Sequence, residues 1–214
     1  MNPQHPRCAT LNDYNNLALA TPNIYLANAV SSVYSSVTCY VAPLTPGSGL
    51  PGIASGSYGA YTYNTAMNTA ISGVGTSLNS KCPAGTTVSV YGYQPVFVAL
   101  GGTITLSANT RWSQYLIGLN QALGDLLRYE NSDFGLLLQA GQIFAAIYGV
   151  SGTTNLNLTI FDRYNAAGTP ATTYAAGGTI TALANEVLML EYPAAGGSGF
   201  PGVSFTLTGG INDL

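Results

Sequence analysis

Apolar positions along this chain recur mostly at strand spacing, in short runs separated by glycine, proline and small polar residues. Ile24–Val41 holds Val30, Val33, Tyr34, Val37, Tyr40 and Val41. That β-branched and aromatic set predicts one long strand or two short ones. Thr86–Ser107 predicts two more. Val88, Val90 and Tyr91 mark the first, and Val96, Phe97, Val98, Ile104 and Leu106 the second, with a break at Gly101-Gly102 and an edge or bulge at Pro95. From Phe134 to Val150 apolar residues alternate on one face while Leu137, Ile143 and Ile147 fill the other. This predicts a strand pair buried on both sides and broken at Gly141. In Asn155–Asp162, Leu156, Leu158 and Ile160 face inward, and Asn155, Asn157 and Thr159 face water. Thr179–Ala182, Glu186–Tyr192 and Val203–Thr208 complete the set of expected strands.

One segment has clear helical spacing. Leu116, Leu119, Leu123, Leu126 and Leu127 predict a helix over Ser113–Tyr129, with Ser113 capping its start and Asn131 its end. Ala60–Leu78 fits a helix through Ala66, Ala70, Ile71 and Val74, or a strand through Tyr61 and Tyr63. Residues 43–59 read as a Pro/Gly loop. Residues 1–22, with Pro3, Pro6 and Pro22, read as an extended N-terminal arm, expected to lie on a neighbouring copy. The whole pattern predicts a mainly β chain: an antiparallel β-sandwich, jelly-roll-like, with one short helix near 114–129 and a single domain over 23–214.

Charge changes this picture more than any motif. Residues 14–80 contain no Asp, Glu, Lys or Arg, and only 6% of the chain is charged, against about a quarter in ordinary soluble domains. The surface is therefore built from Asn, Ser, Thr, Gly, Gln and Tyr. A net charge of -3 cannot neutralise many phosphates, which argues against nucleic acid as a partner. Few paired carboxylates leave little to lose on acidification, so tolerance of acid is expected. Ile24–Ala42 is uncharged and nearly long enough to span a bilayer, but its four serines make it strand rather than a transmembrane helix. The first residues, Met1 to Cys8, lack an apolar run and read as an unprocessed start.

Candidate chemistry is sparse. The sole histidine, His5, lies between two prolines, and the sole lysine, Lys81, sits in a turn. Both read as solvated surface groups, and no cofactor or metal site is expected. Paired acids could serve glycoside hydrolysis, with Asp125, Glu130, Asp133, Asp162, Glu186 and Glu191 available. Asp125, Glu130 and Asp133, with Arg128 and Asn131 between them, fit a solvated turn better. Asn157-Leu158-Thr159 matches the glycosylation triplet. Tyr58, Tyr61, Tyr63 and Trp112 are candidate glycan-stacking or interface aromatics. Three cysteines allow one disulfide and a spare thiol, or an intermolecular bridge, with Cys39 and Cys82 the candidate pair.

These features predict a non-enzymatic structural protein, a capsid or virion subunit in a virion or extracellular setting that is acidic or hot. Its partners would be copies of itself and other virion proteins. In composition alone, with no motif behind it, the chain resembles virion proteins of viruses infecting thermoacidophilic archaea. A carbohydrate-binding module or receptor-binding fibre tip, and an extracellular filament or surface-layer subunit, are the alternatives.

Overall fold

The computed structural model of the protein describes residues 8–33, 35–44, 52–55, 61–163, 178–190 and 203–214. Among them strands outweigh helices, 45% against 32%, so the mainly β class holds. The described residues fall into two compact units, Met1–Gln94 with Leu183–Glu186, and Pro95–Ala182 with Val187–Leu214.

The first unit opens with α1 (Leu11–Leu19), inside the stretch expected as an extended arm. Thr10 and Asp13 form a reciprocal capping box: the Asp13 carboxylate accepts from the Thr10 backbone N–H at 2.7 Å, and the Asp13 N–H donates to the Thr10 hydroxyl oxygen at 3.3 Å. Tyr14 and Ala18, one turn apart, are buried. β1 (Ile24–Val33) and β2 (Ser36–Pro43) form an antiparallel hairpin, the two-strand form of the Ile24–Val41 run. Val37, Cys39 and Val41 alternate inward on β2. The short pair β3 (Ile53–Ser55) and β4 (Thr62–Tyr63) leads into α2 (Thr65–Asn79).

Asn64 caps α2 by accepting from the Met67 N–H at 2.9 Å. Met67, Ala70, Val74 and Leu78 form its buried face. Both readings of Ala60–Leu78 thus hold in part, strand at Tyr63 and helix after Asn64. β5 (Thr87–Gly92) returns parallel to β2, and the sheet order is β1-β2-β5. α1 packs on β1 and α2 on β5, giving two layers around a core of Cys8, Tyr14, Cys39, Met67, Val74 and Leu78. Each fully buried aliphatic here contributes about 1.5–3 kcal/mol.

The second unit is organised on β6 (Gln94–Arg111), an 18-residue strand. The Gly101-Gly102 pair does not end it. A register shift there absorbs the irregularity. α3 (Trp112–Leu127) follows without a loop and a 3-10 turn (Tyr129–Asn131) closes it. β7 (Leu137–Gln139) is then followed by α4 (Ala140–Tyr148), where a strand pair was expected. Gln139 and Gln142 cap α4, the Gln139 N–H donating to Gln142 Oε1 at 2.8 Å, while Ala140, Ile143 and Ile147 are buried at helical spacing. β8 (Thr153–Arg163) buries Leu156 and Leu158 and exposes Asn155, Asn157 and Thr159 as expected, but Ile160 is only half-buried and Phe161 is buried beyond the register shift at Gly101/Gly102.

β9 (Thr179–Thr181) pairs with β7; β10 (Glu186–Met189) and β11 (Val203–Ile211) both pair with β6. β8 lies antiparallel and β11 parallel to β6. Among the described residues both main sheets are mixed and not closed, and there are four α-helices where one was expected, so the class is mainly β without a confirmed sandwich or jelly roll. Within Ile24–Ala42 the structure has β1 and β2, and among the described residues no helix is long and apolar enough to cross a membrane.

Candidate functional site

A concavity lies in the second unit, where β6 turns directly into α3. A half-open groove of about 360 Å³ is lined by Asn109, Thr110, Arg111, Gln114, Tyr115 and Val150 among others. The α3 N-terminus forms one wall and the turn between α4 and β8 the other.

This corner is held from far along the chain. Arg111 makes no side-chain cap for α3. Asp213 does so instead: its carboxylate accepts from the Ser113 backbone N–H at 3.0 Å and from the Ser113 hydroxyl at 2.7 Å. Ser113, expected as the cap, is the second helical residue and is itself capped. Its backbone N–H first, then its hydroxyl, hold the Asp213 carboxyl below the usual range, and the Arg111 charge adds to this. The Ser113–Asp213 contact resembles a nucleophile with its base, but a carboxylate held low is a poor proton acceptor.

Trp112 donates its indole N–H to the Gly209 carbonyl at 2.7 Å. That approach needs the consecutive left-handed residues Gly209 and Gly210, at φ 68° and 66°. A Cβ on Gly210 would stand 2.6 Å from the Thr110 carbonyl oxygen.

Beneath the groove, the Thr153 hydroxyl lies 2.9 and 3.0 Å from the Ile147 and Val150 carbonyls and 2.8 Å from the Tyr115 hydroxyl. The single Thr153 proton goes to a carbonyl, so Tyr115 is the donor in that contact. Burial pushes the Tyr115 phenol up, against the Thr153 bond. The groove therefore has an apolar floor set by Tyr115 and Val150 and a rim of amides, hydroxyls and one guanidinium. Such a lining can hydrogen-bond a neutral polar ligand, while Tyr115, 2% exposed, offers no ring face for stacking.

The residues singled out in the sequence are not gathered at this groove. Tyr58, His5 and Glu191 lie outside the described residues. Tyr61 is half-buried, and Tyr63 donates its hydroxyl to the Tyr93 carbonyl at 2.9 Å, both in the first unit. Burial pushes the Tyr63 phenol up. Trp112, in the second unit, is half-buried with its indole nitrogen spent on Gly209. The polar handles of Tyr63 and Trp112 thus serve their own units.

Asp125 pairs with Arg128 at 3.5 Å on an exposed helix end, and Asn131 donates to the Asp125 carbonyl, as an end cap should. Asp133 accepts from the Phe134 N–H, Asp162 from the Arg163 N–H, and buried Glu186 from the Leu183 N–H. Glu130 is exposed and Lys81 half-buried. Each of these bonded acids has a local structural partner. Asp213 and Arg111 carry the corner, yet a lone Asp directly before Leu214 and an Arg before a helix have no distinguishing sequence signal.

The three cysteines are free thiols, Cys8 and Cys39 buried and Cys82 half-buried. The Cys39–Cys82 bridge is not made. Cys39 sits mid-strand facing the core, and the Cys82 thiol contacts the Asn79 and Thr86 carbonyls. Among the described residues no group of His, Cys, Asp and Glu could hold a metal ion. No protein-family model matches the chain, and no curated protein matches its sequence.

Proposed function

We propose that the protein is a structural, self-assembling subunit, of the kind that builds a capsid or virion, adapted to acidic or hot surroundings. The observation that carries this reading is a surface that is apolar in places and almost without charge. Ile117 is 70% exposed, Leu214 76%, Leu183 58% and Tyr91 55%. Only 6% of the chain is charged, so most of the surface around them is uncharged. Such a surface can meet a copy of itself without stripping water from charges, which costs several kcal/mol per ion. Leu214 follows the residue that bonds Ser113, and Ile117 stands one turn along α3 from Ser113. The reading does not require a jelly-roll sandwich; open mixed sheets also present edges and faces to neighbours. A filament or surface-layer subunit is the same reading with another destination.

Light scattering on the purified protein at pH 3 and pH 7 tests it. The expected result is a large discrete assembly at one pH or both. A 22 kDa monomer at both, unchanged by concentration, would remove the support for self-assembly.

The groove favours a second reading, glycan binding, because Asn109, Gln114 and Arg111 offer directed donors beside Tyr115. A glycan array separates the two. Under this reading a hit is lost in Gln114→Ala, whereas under the first the array is blank.

A further inference from the structure

Cysteines far apart in sequence meet at the edge of the first unit. The Cys8 backbone N–H donates to the Lys81 carbonyl at 3.2 Å. The acceptor belongs to the peptide bond joining Lys81 to Cys82, so Cys8 is held by one backbone hydrogen bond to the peptide unit that begins Cys82. A disulfide needs the two Cα atoms about 4.4–6.8 Å apart, a separation that residues joined through one such backbone hydrogen bond can reach. Cys8 is buried in the core cluster, and Cys82 is half-buried against the same cluster. We propose that Cys8 and Cys82 are an oxidisable pair, a disulfide site that ties the segment before α1 to the end of α2. This does not rest on the self-assembly reading.

Cys39 is near but excluded from the exchange. It is fully buried in mid-β2, and burial, then a charge on Cys8, push its thiol up to about 12. At neutral pH it is no nucleophile. Cys82 has the solvent access needed to react first. With a small-molecule disulfide as oxidant, the Cys82 thiolate attacks one sulfur and releases one small thiolate. The Cys8 thiolate then attacks the Cys82 sulfur, forms the bridge and expels the second. Two protein thiols lose two protons and two electrons, and one small disulfide becomes two thiols. Burial first, then charges on Asp13 and Cys82, push the Cys8 thiol up.

The test oxidises the full chain with glutathione disulfide and maps the peptides by mass spectrometry under non-reducing conditions. The expected product is a monomeric chain with Cys8 linked to Cys82 and Cys39 unmodified. Its thermal midpoint should lie about 10 °C above that of the reduced protein, since the bridge closes a long loop. Cys39→Ser should retain the bridge and the shift, and Cys82→Ser should lose both while keeping the midpoint of the reduced protein. A link through Cys39, a bridge between two chains, or a stable glutathione adduct at Cys82 with Cys8 free would each overturn the proposal.

Discussion

Asp13 and Asp213 do similar work near opposite ends of the chain, each accepting hydrogen bonds at a helix start. The Ala9 and Thr10 backbone N–H groups, then the Thr10 hydroxyl, lower the Asp13 carboxyl, as the Ser113 groups lower Asp213. A carboxyl lowered in the folded state stabilises above its ordinary value, 3.8, and loses that contribution as pH falls through the folded value. Their share of stability is therefore expected to be constant above about pH 5 and to vanish only in strong acid. The sign reverses for groups raised by burial. Cys39, with an ordinary value of 9.0, and Tyr63 and Tyr115, at 10.0, stabilise below those values and cost stability as pH rises beyond them. Thermal melts from pH 2 to 11 should show a broad acid shoulder and a steeper alkaline fall. Asp13→Asn and Asp213→Asn should flatten the acid side alone; an unchanged acid side would show that these caps do not titrate as described. Gly210 gives a steric counterpart. Alanine there must hold φ near 66° and meet the Thr110 oxygen. Gly210→Ala is expected to cost about 1–3 kcal/mol in urea denaturation.

At the scale of elements, α1 reverses an expectation with consequences for experiment. Cys8, Tyr14 and Ala18 belong to the first unit's core. Deleting residues 1–22 should therefore unfold that unit, seen as lost amide protection in α2 and β2, rather than leave a folded subunit that cannot assemble. The proline-rich start hid this helix, whose signal was the Thr10–Asp13 box. α4 was hidden differently. Apolar residues are so dense from Phe134 to Val150 that period 2 and period 3.6 both find support. Ile143 and Ile147, taken as the second face of a strand, are one turn apart on a helix, and the Gln139–Gln142 box decided between them. Gly141 tests the assignment, because nothing lies within 4 Å of a Cβ there. Gly141→Ala should stabilise by up to about 1 kcal/mol in a helix and gain little in a strand. β8 and α3 were legible because most of their polar and apolar residues separate onto two faces, with Ile117 on α3 an exposed exception. The candidate groove was not. It depends on Asp213 reaching Ser113 and Gly209 reaching Trp112, contacts spanning 100 and 97 residues that no local pattern encodes.

For the whole molecule the low charge sets how association should respond to salt. Contacts between ions weaken as the screening length falls from about 10 Å at 0.1 M to about 3 Å at 1 M. A surface that presents Ile117, Leu183, Leu214 and Tyr91, on a chain only 6% charged, has little for salt to screen. Excluded salts such as sulfate strengthen apolar burial instead. Sedimentation velocity should therefore find association almost unchanged between 0.1 M and 1 M sodium chloride, within about twofold, and stronger in sodium sulfate at equal ionic strength. Dissociation by sodium chloride would place the few charged groups, Arg111 or the Asp125–Arg128 pair among them, at the contact. Ile117→Asn separates these cases further: it leaves the helix face that packs inward untouched, since Tyr115, Leu119 and Leu123 carry it. Its expected effect is weaker association with an unchanged melting temperature. Equal loss of both would mean that Ile117 stabilises the subunit itself.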